Sequence, residues 1–288
     1  MNKVVSLPEL VSRIEDGASI VFGGSSLSRK PMAAVRELVR QGRRNLHLIC
    51  DIGGPEVDLL VGAGAVQRLT YAFVGFEILG LAPHFRAARQ QGSLAFEEWT
   101  EYTVMAGLDA AVKRVPFLPT RAGLATDVLA VNPSFRRIVD PFGSGQELVA
   151  IPALNPDVAL IHVNYADERG NAVILGDTHI DVLAAKAART TLVTCERLLS
   201  AEALRRFGRD LQIAHIWVDG VAEVPWGAHP TGCAPHYRFD LEAFQRYLQA
   251  ASDPDRWAQH LEDLRGQDHP TYLQAQGGRL GLVERLRL

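Results

Sequence analysis

Cysteine is scarce. Cys50, Cys195 and Cys233 are the only three in 288 residues, and an odd number of scattered thiols cannot all pair within one chain or build a disulfide framework. A reducing, cytoplasmic setting is the expectation. Long apolar runs are also missing: nowhere do about 18 uncharged apolar residues follow one another. The opening MNKVVSLPELVSRIEDG has a short apolar stretch and no small-residue cleavage pattern, so neither a membrane span nor a secretion signal is expected. Charge of one sign is lacking too. Thirty basic residues stand against 33 acidic ones, with no long Lys/Arg run, which argues against nucleic-acid binding. G-x-x-x-x-G-K-[ST], G-x-G-x-x-G and G-x-S-x-G are all absent, and with them the spacing marks of a P-loop, a dinucleotide fold and a nucleophile elbow.

What is present, 47% hydrophobic and 22% charged residues, describes a globular chain able to bury a sizeable core. Ser6, Pro8 and Glu9 form a helix-start signature, so a first helix is predicted over roughly 7 to 16. SIVFGG (19 to 24) reads as a short buried strand, and PMAAVRELVRQG (31 to 42) as a helix with Pro near its start and Gly past its end. The order recurs in NLHLICD (45 to 51), EVDLLVGAG (56 to 64) and RLTYAFVG (68 to 75). Later strands are predicted at 147 to 153, 157 to 165, 190 to 196 and 213 to 220, with a helix over 178 to 189. Their continuously apolar character fits strands covered on both faces. The fold class is therefore α/β, with open, mostly parallel sheet layers and crossover helices. Residues 123 to 136 are expected to be irregular. Residues 239 to 266 read as two helices broken at Asp253-Pro254, the start of a mainly helical C-terminal extension (239 to 288) on one compact domain.

Three stretches carry candidate chemistry. EEWTEYTV (97 to 104) precedes an apolar stripe of Val104, Leu108, Ala111, Val112 and Val115. If a helix begins near residue 97, Glu97 and Glu101 fall in line with that stripe and Glu98 points elsewhere. These acids then either complement the helix dipole in water or sit partly desolvated beside Trp99 and Tyr102, where a raised pKa suits a base or nucleophile. Periodicity leaves both open. GGSSLSRKP (23 to 31) joins a strand to a helix and can offer backbone N–H groups to an anion, with Arg29 or Lys30 nearby; a plain tight turn reads equally well. HPTGCAPH (229 to 236) sets His229, Cys233 and His236 in one loop, but its prolines and missing fourth ligand favour incidental side chains, and no metal is expected. His162 and His215, inside apolar strands, are expected to be hydrogen-bonded core residues. Cys195 and Ser25 have no assignable catalytic partners.

Five segments in order resemble the class I coenzyme A-transferases, specifically the A (α) subunit of the two-subunit glutaconate type. They are SRKPMAAVREL (28 to 38), GGPEVDLLVGAGAVQRL (53 to 69), GFEILGLAPHFR (75 to 86), VPFLPTRAGLATD (115 to 127) and PDVALIHVNYADERGNA (156 to 172). The resemblance implies a CoA-transferase/NagB-like fold over 1 to 288, a β subunit of related fold, an α2β2 assembly and an active site between the two. It implies coenzyme A and acyl-CoA as substrates rather than as a permanent cofactor. In that family a glutamate attacks the acyl-CoA thioester, forms an acyl-glutamyl anhydride and then a glutamyl-CoA thioester, and passes CoA to an acceptor carboxylate. The glutamate belongs to the β subunit in a Ser-Glu-Asn-Gly-like loop, which this chain lacks.

By the resemblance, Gly23, Gly24, Ser25, Ser26 and Arg29 contribute to the substrate pocket, and Glu77 and Glu101 line the cleft. One related branch, the steroid ring-opening acyl-CoA hydrolases, uses a glutamate of the A-type subunit, and its counterpart here is Glu101. GFEILGLAPHFR resembles the transferase pattern. A non-catalytic ligand-sensing domain is a third reading, for which a basic helix-turn-helix before residue 20 is missing.

Overall fold

Residues 2–277 are described by a computed structural model of the chain. Their elements run α1 (Leu7–Ser12), β1 (Ser19–Phe22), α2 (Met32–Arg40), β2 (Leu46–Gly53), α3 (Pro55–Gly62), β3 (Val66–Val74), α4 (Pro83–Gln91) and β4 (Ala95–Glu98). Next come α5 (Glu101–Val112), β5 (Phe117–Thr120), α6 (Val128–Val131), β6 (Arg136–Val139), β7 (Glu147–Pro152), β8 (Val158–Ala166) and β9 (Ala172–Val173). Then follow α7 (Asp181–Ala187), β10 (Thr190–Leu198), α8 (Ala201–Arg205), β11 (Leu211–Ile213) and β12 (Gly220–Glu223), and helices α9 (Leu241–Ala251), α10 (Pro254–Gly266) and α11 (His269–Gln276) close the described chain.

Seven strands pair in parallel in the order β4-β3-β2-β1-β8-β10-β12. The short strands β9 and β11 add antiparallel pairing beside the far end of β8. The mostly parallel α/β sheet expected from the apolar runs is therefore present. Alternate residues of one strand feed opposite cores: Ile20 and Phe22 pack with α2 and α3, while Val21, Ile49, Ile161 and Val193 pack with α5 and α7. Covering both faces is what makes β8 buried along nearly its whole length.

Several expectations need correction. The 147–153 strand is β7, the centre of a separate antiparallel sheet β5-β7-β6, because period alone does not say which sheet a strand joins. Residues 213–220 do not form one strand: His215–Trp217 make a 3₁₀ turn, and the sheet is completed by β12. The first helix stops at Ser12, although Ser6 does cap it by accepting from Glu9 N at 3.3 Å. Within 123–136 a short helix, α6, forms.

The break between α9 and α10 falls at Asp253-Pro254 as expected, with Asp253 capping α10 through Asp255 N and Arg256 N. Phe244, Trp257, Leu261 and Leu264 of these helices join the core over α2. The rest of the C-terminal extension, 278–288, lies outside the described residues. Among those described, no helix is long and apolar enough to cross a membrane.

Candidate active site

Parallel strands all end on one edge, and the loops leaving their carboxyl ends are where open α/β sheets hold ligands. At that edge β1 gives way to Gly23-Gly24, β2 to Gly54, β3 to Gly75-Phe76-Glu77 and β4 to Trp99-Thr100-Glu101.

Gly23 and Gly24 are required by close packing. A Cβ on Gly23 would stand 2.1 Å from Asp181 Oδ1, and one on Gly24, at φ +70°, would meet Ser28 O at 2.4 Å. The vacated space lets Asp181 accept from Gly24 N at 2.8 Å and pair with Arg29 Nη2 at 2.7 Å. Arg29, itself at φ 53°, also donates to the carbonyls of His162 and Asp177. Lys30 Nζ lies 2.9 Å from Glu56 Oε1 and donates to Gly24 O and Ile52 O. Both cations of the GGSSLSRKP loop are thus buried and engaged by acids from α3 and α7. They brace the loop from within.

What the loop leaves available is small: Ser25, half-buried, and Ser26 at φ 48°, whose buried hydroxyl has no partner among the described residues and whose N–H is held by Ile52 O at 3.1 Å. Gly54 fits against it closely, since a Cβ there would lie 2.7 Å from Ser26 O. Nearby, His179 Nε2 stands 2.9 Å from the buried Asp51 carboxylate, in ion-pair range but without hydrogen-bond alignment. That carboxylate holds the imidazole's pKa above its ordinary value.

EEWTEYTV does not begin a helix at residue 97. Residues 95–98 are β4, pairing with β3 (Thr70 opposite Glu97), and α5 starts only at Glu101, behind the reciprocal caps of Thr100 and Thr103. Glu97 is buried by the strand, accepting from Arg68 at 2.7 Å, Thr70 at 3.2 Å and the Ser134 hydroxyl. Burial pushes its pKa up, but these donors outweigh burial and hold it below the usual carboxylate value. Glu98 leans toward Arg89 and Tyr71. Glu101 is exposed, its carboxylate without a hydrogen bond or ion pair to any described residue, and the same holds for the side chain of Glu77 on its 3₁₀ turn. The fold therefore brings Gly23 to Arg29, Glu77 and Glu101 to one edge but not to one point. β4 lies three strands from β1, on the order of 14 Å at about 4.8 Å per strand.

Beside this edge lies a buried network that sequence reasoning missed. His162 on β8 and Glu196 on β10 meet at 2.8 Å, with Trp226 N, Gly227 N and the Tyr237 hydroxyl also donating to Glu196. Burial pushes Glu196 up, but the His162 bond and the other donors more than offset it, keeping the carboxyl below its ordinary pKa. An ionised carboxylate only accepts, so His162 Nε2 is the donor to Glu196, and Nδ1 meets the Thr194 hydroxyl at 2.8 Å. The only signal in the sequence was an acid closing an apolar strand, TTLVTCE.

His162, Glu196 and Cys233 offer ligand atoms within 4.8 Å of one another. Glu196 Oε1 already accepts from three donors, so this carboxylate is engaged within the protein's own network. His229 turns away to Asp240 at 2.9 Å and Tyr272 at 2.7 Å, so the 229–236 loop does not gather its two histidines on Cys233. His162 is a hydrogen-bonded core residue as expected. His215 lies on a 3₁₀ turn, not in a strand, and contacts Asn171.

Residues 4–221 match the family described as Coenzyme A transferase. The cholesterol ring-cleaving hydrolase IpdA subunit of Rhodococcus jostii RHA1 is 39% identical, over 90% of this chain and 90% of its own. The A-type subunit of the glutaconate CoA-transferase of Acidaminococcus fermentans is 31% identical, over 96% of this chain and 92% of its own. The crystal structure of that organism's glutaconate coenzyme A-transferase superposes with a TM-score of 0.92 at 29% identity, covering 96% of this chain and 94% of the other. A variant of the decarboxylase AibA/AibB matches with a TM-score of 0.83 at 36% identity, covering 93% of this chain and 100% of the other.

Proposed function

This chain belongs to the coenzyme A transferase family, and we propose that it is the α-type subunit of a heteromeric transferase that moves CoA from an acyl-CoA to a carboxylic acid. The active site is completed at the carboxyl edge of the sheet by a β-type partner, in an α2β2 assembly. One observation carries this reading above the others: the acids that touch the glycine loop, Asp181 and Glu56, are both buried in ion pairs. The loop supplies a shaped wall and hydroxyl groups but no free carboxylate, which supports an attacking carboxylate supplied by the partner.

In this reading the partner's carboxylate adds to the thioester carbonyl and the CoA thiolate leaves, giving an anhydride. The thiolate then attacks the partner's own acyl carbon, releasing the substrate acid, and the acceptor carboxylate repeats the two steps in reverse. Each addition places negative charge on a carbonyl oxygen. Ser25 and the unpartnered Ser26 hydroxyl are the groups of this chain suited to donate to it. Gly23, Gly24 and Arg29 hold the loop in shape, and Glu77 and Glu101 line the cleft. Coenzyme A enters as part of the substrate, and no permanent cofactor takes part.

A second reading, ring opening of a cyclic acyl-CoA by water with Glu101 as general base, is favoured by the identity to the ring-cleaving hydrolase and by the free carboxylate of Glu101. The experiment is co-expression with a β-type chain, followed by assays of CoA transfer and of ring-opening hydrolysis on wild type and Glu101→Gln. Transfer that requires the partner and survives in Glu101→Gln within a few-fold supports the transferase. Ring opening that falls by ~10² or more in Glu101→Gln, the scale of a lost general base, assigns the hydrolase. Transfer by the chain alone sinks the shared-site proposal.

A further inference from the structure

Between α2, α3 and the C-terminal helices lies a cavity of about 260 Å³, none of whose lining residues belongs to the candidate active site. Met32, Leu59, Phe244 and Leu264 give it apolar walls, and Arg36 and Tyr272 close one side. Arg36 is only 7% exposed, and among the described residues no carboxylate pairs with it. Its Nη1 donates to His229 O at 2.7 Å, Nη2 lies 3.4 Å from His269 Nδ1, and the guanidinium stacks 3.7 Å over the Tyr272 ring. Burial and the neighbouring Arg36 push the His269 pKa down to about 4, so its ring is a neutral acceptor and brings no charge of either sign. The Arg36 Nε–H is buried and has no partner among the described residues. A buried guanidinium with one empty donor and no counter-charge is costly unless something anionic completes it.

We propose that this cavity is a binding site for a small organic monocarboxylate with an apolar body, its carboxylate on Arg36 and its body among the walls of α2, α3 and α9–α10. An apolar cavity of roughly 150 Å³ already takes a benzene ring, so this volume holds a ring or short branched chain together with the acid group. One charge fits and two do not. Arg246, the other cation lining the space, is held by Gln276 at 3.1 Å and Glu242 at 3.9 Å, while Asp263 repels a second negative group. Occupancy ties α9 and α10 to α2 through a ligand, independently of the reaction proposed above.

The test uses the full chain with benzoate as probe and benzyl alcohol as its neutral counterpart. Benzoate at ~100 times its dissociation constant should raise the melting temperature by roughly 5 to 10 °C, and benzyl alcohol should not. In crystals soaked with 4-bromobenzoate, the bromine anomalous peak should fall between α2 and α9–α10. Arg36→Met should abolish both signals, and so should Ala243→Phe, which fills the cavity and leaves Arg36 in place. Ala243→Phe decides the matter should Arg36→Met not fold. An equal rise in wild type and Ala243→Phe, an equal effect of benzyl alcohol, a bromine peak elsewhere, or binding at crystal concentration only would each overturn the proposal.

Discussion

A methyl group at position 23 would stand 2.1 Å from Asp181 Oδ1, where no real Cβ sits. Gly23→Ala must therefore move a buried carboxylate off both Gly24 N and Arg29. Overpacking costs about 1–3 kcal/mol, and breaking a buried ion pair about 3–5 kcal/mol. A loss of at least ~3 kcal/mol in urea unfolding is expected. A midpoint unchanged from wild type would show that the loop has room to relax. The same residues show what could be read beforehand. Gly, Ser and two cations in a row were visible, and so was the possibility of an anion cradle. That Arg29 and Lys30 already have their anions was not, because Asp181 and Glu56 reach them only through the fold. Glu101 was singled out by resemblance, and its separation from Glu97 came from a strand that helical periodicity hid.

Elements were legible where a signal was local. Gly after a strand, Pro at a helix start and the Asp253-Pro254 break placed β1, α2 and α10 within a few residues. Pairing partners were not legible, and β4 and β7 are the cost: one took the predicted start of a helix, and the other joined a different sheet. A buried acid between elements was equally invisible. Asp58 of α3 accepts from Phe85 N of α4 at 2.8 Å and from the Tyr247 hydroxyl of α9 at 2.7 Å, fastening three helices. Burial raises its pKa from 3.8 to about 6 despite those donors. A pKa raised on folding means the native state binds the extra proton, so the stabilisation is complete below pH 4 and is lost as pH rises through 6. At about 1.36 kcal/mol per unit, the swing for this shift is on the order of 3 kcal/mol. Asp58→Asn keeps the shape without the titration. Wild type minus variant stability should fall between pH 4 and pH 7, and a difference independent of pH would remove Asp58 from the pH dependence.

At the scale of the whole molecule, scattered exposed apolar residues need no explanation, but grouped ones do. Ile78 is 87% exposed and Leu81 63%, on the one loop that leaves β3 at the carboxyl edge, with Glu77 between that pair and the sheet and Phe73 also exposed just before it. The turn is held from behind: Phe76 is fully buried against Phe244 and Tyr247, and Phe76 N is fixed by Gly80 O at 2.9 Å. A loop so firmly rooted presents its apolar tip without adapting it, which suits a pre-formed docking surface beside the cleft rather than a loosely packed turn. Replacing Ile78 and Leu81 together by Lys touches no buried contact of either tip. Stability of the chain alone should therefore stay within about 0.5 kcal/mol of wild type. Co-purification with a β-type partner should be lost, and CoA transfer with it. A variant that unfolds would place the tip in the fold's own packing. A variant that assembles and turns over normally would move the interface away from this edge and leave Glu77 and Glu101 facing solvent, where neither the transferase nor the hydrolase reading has a use for them.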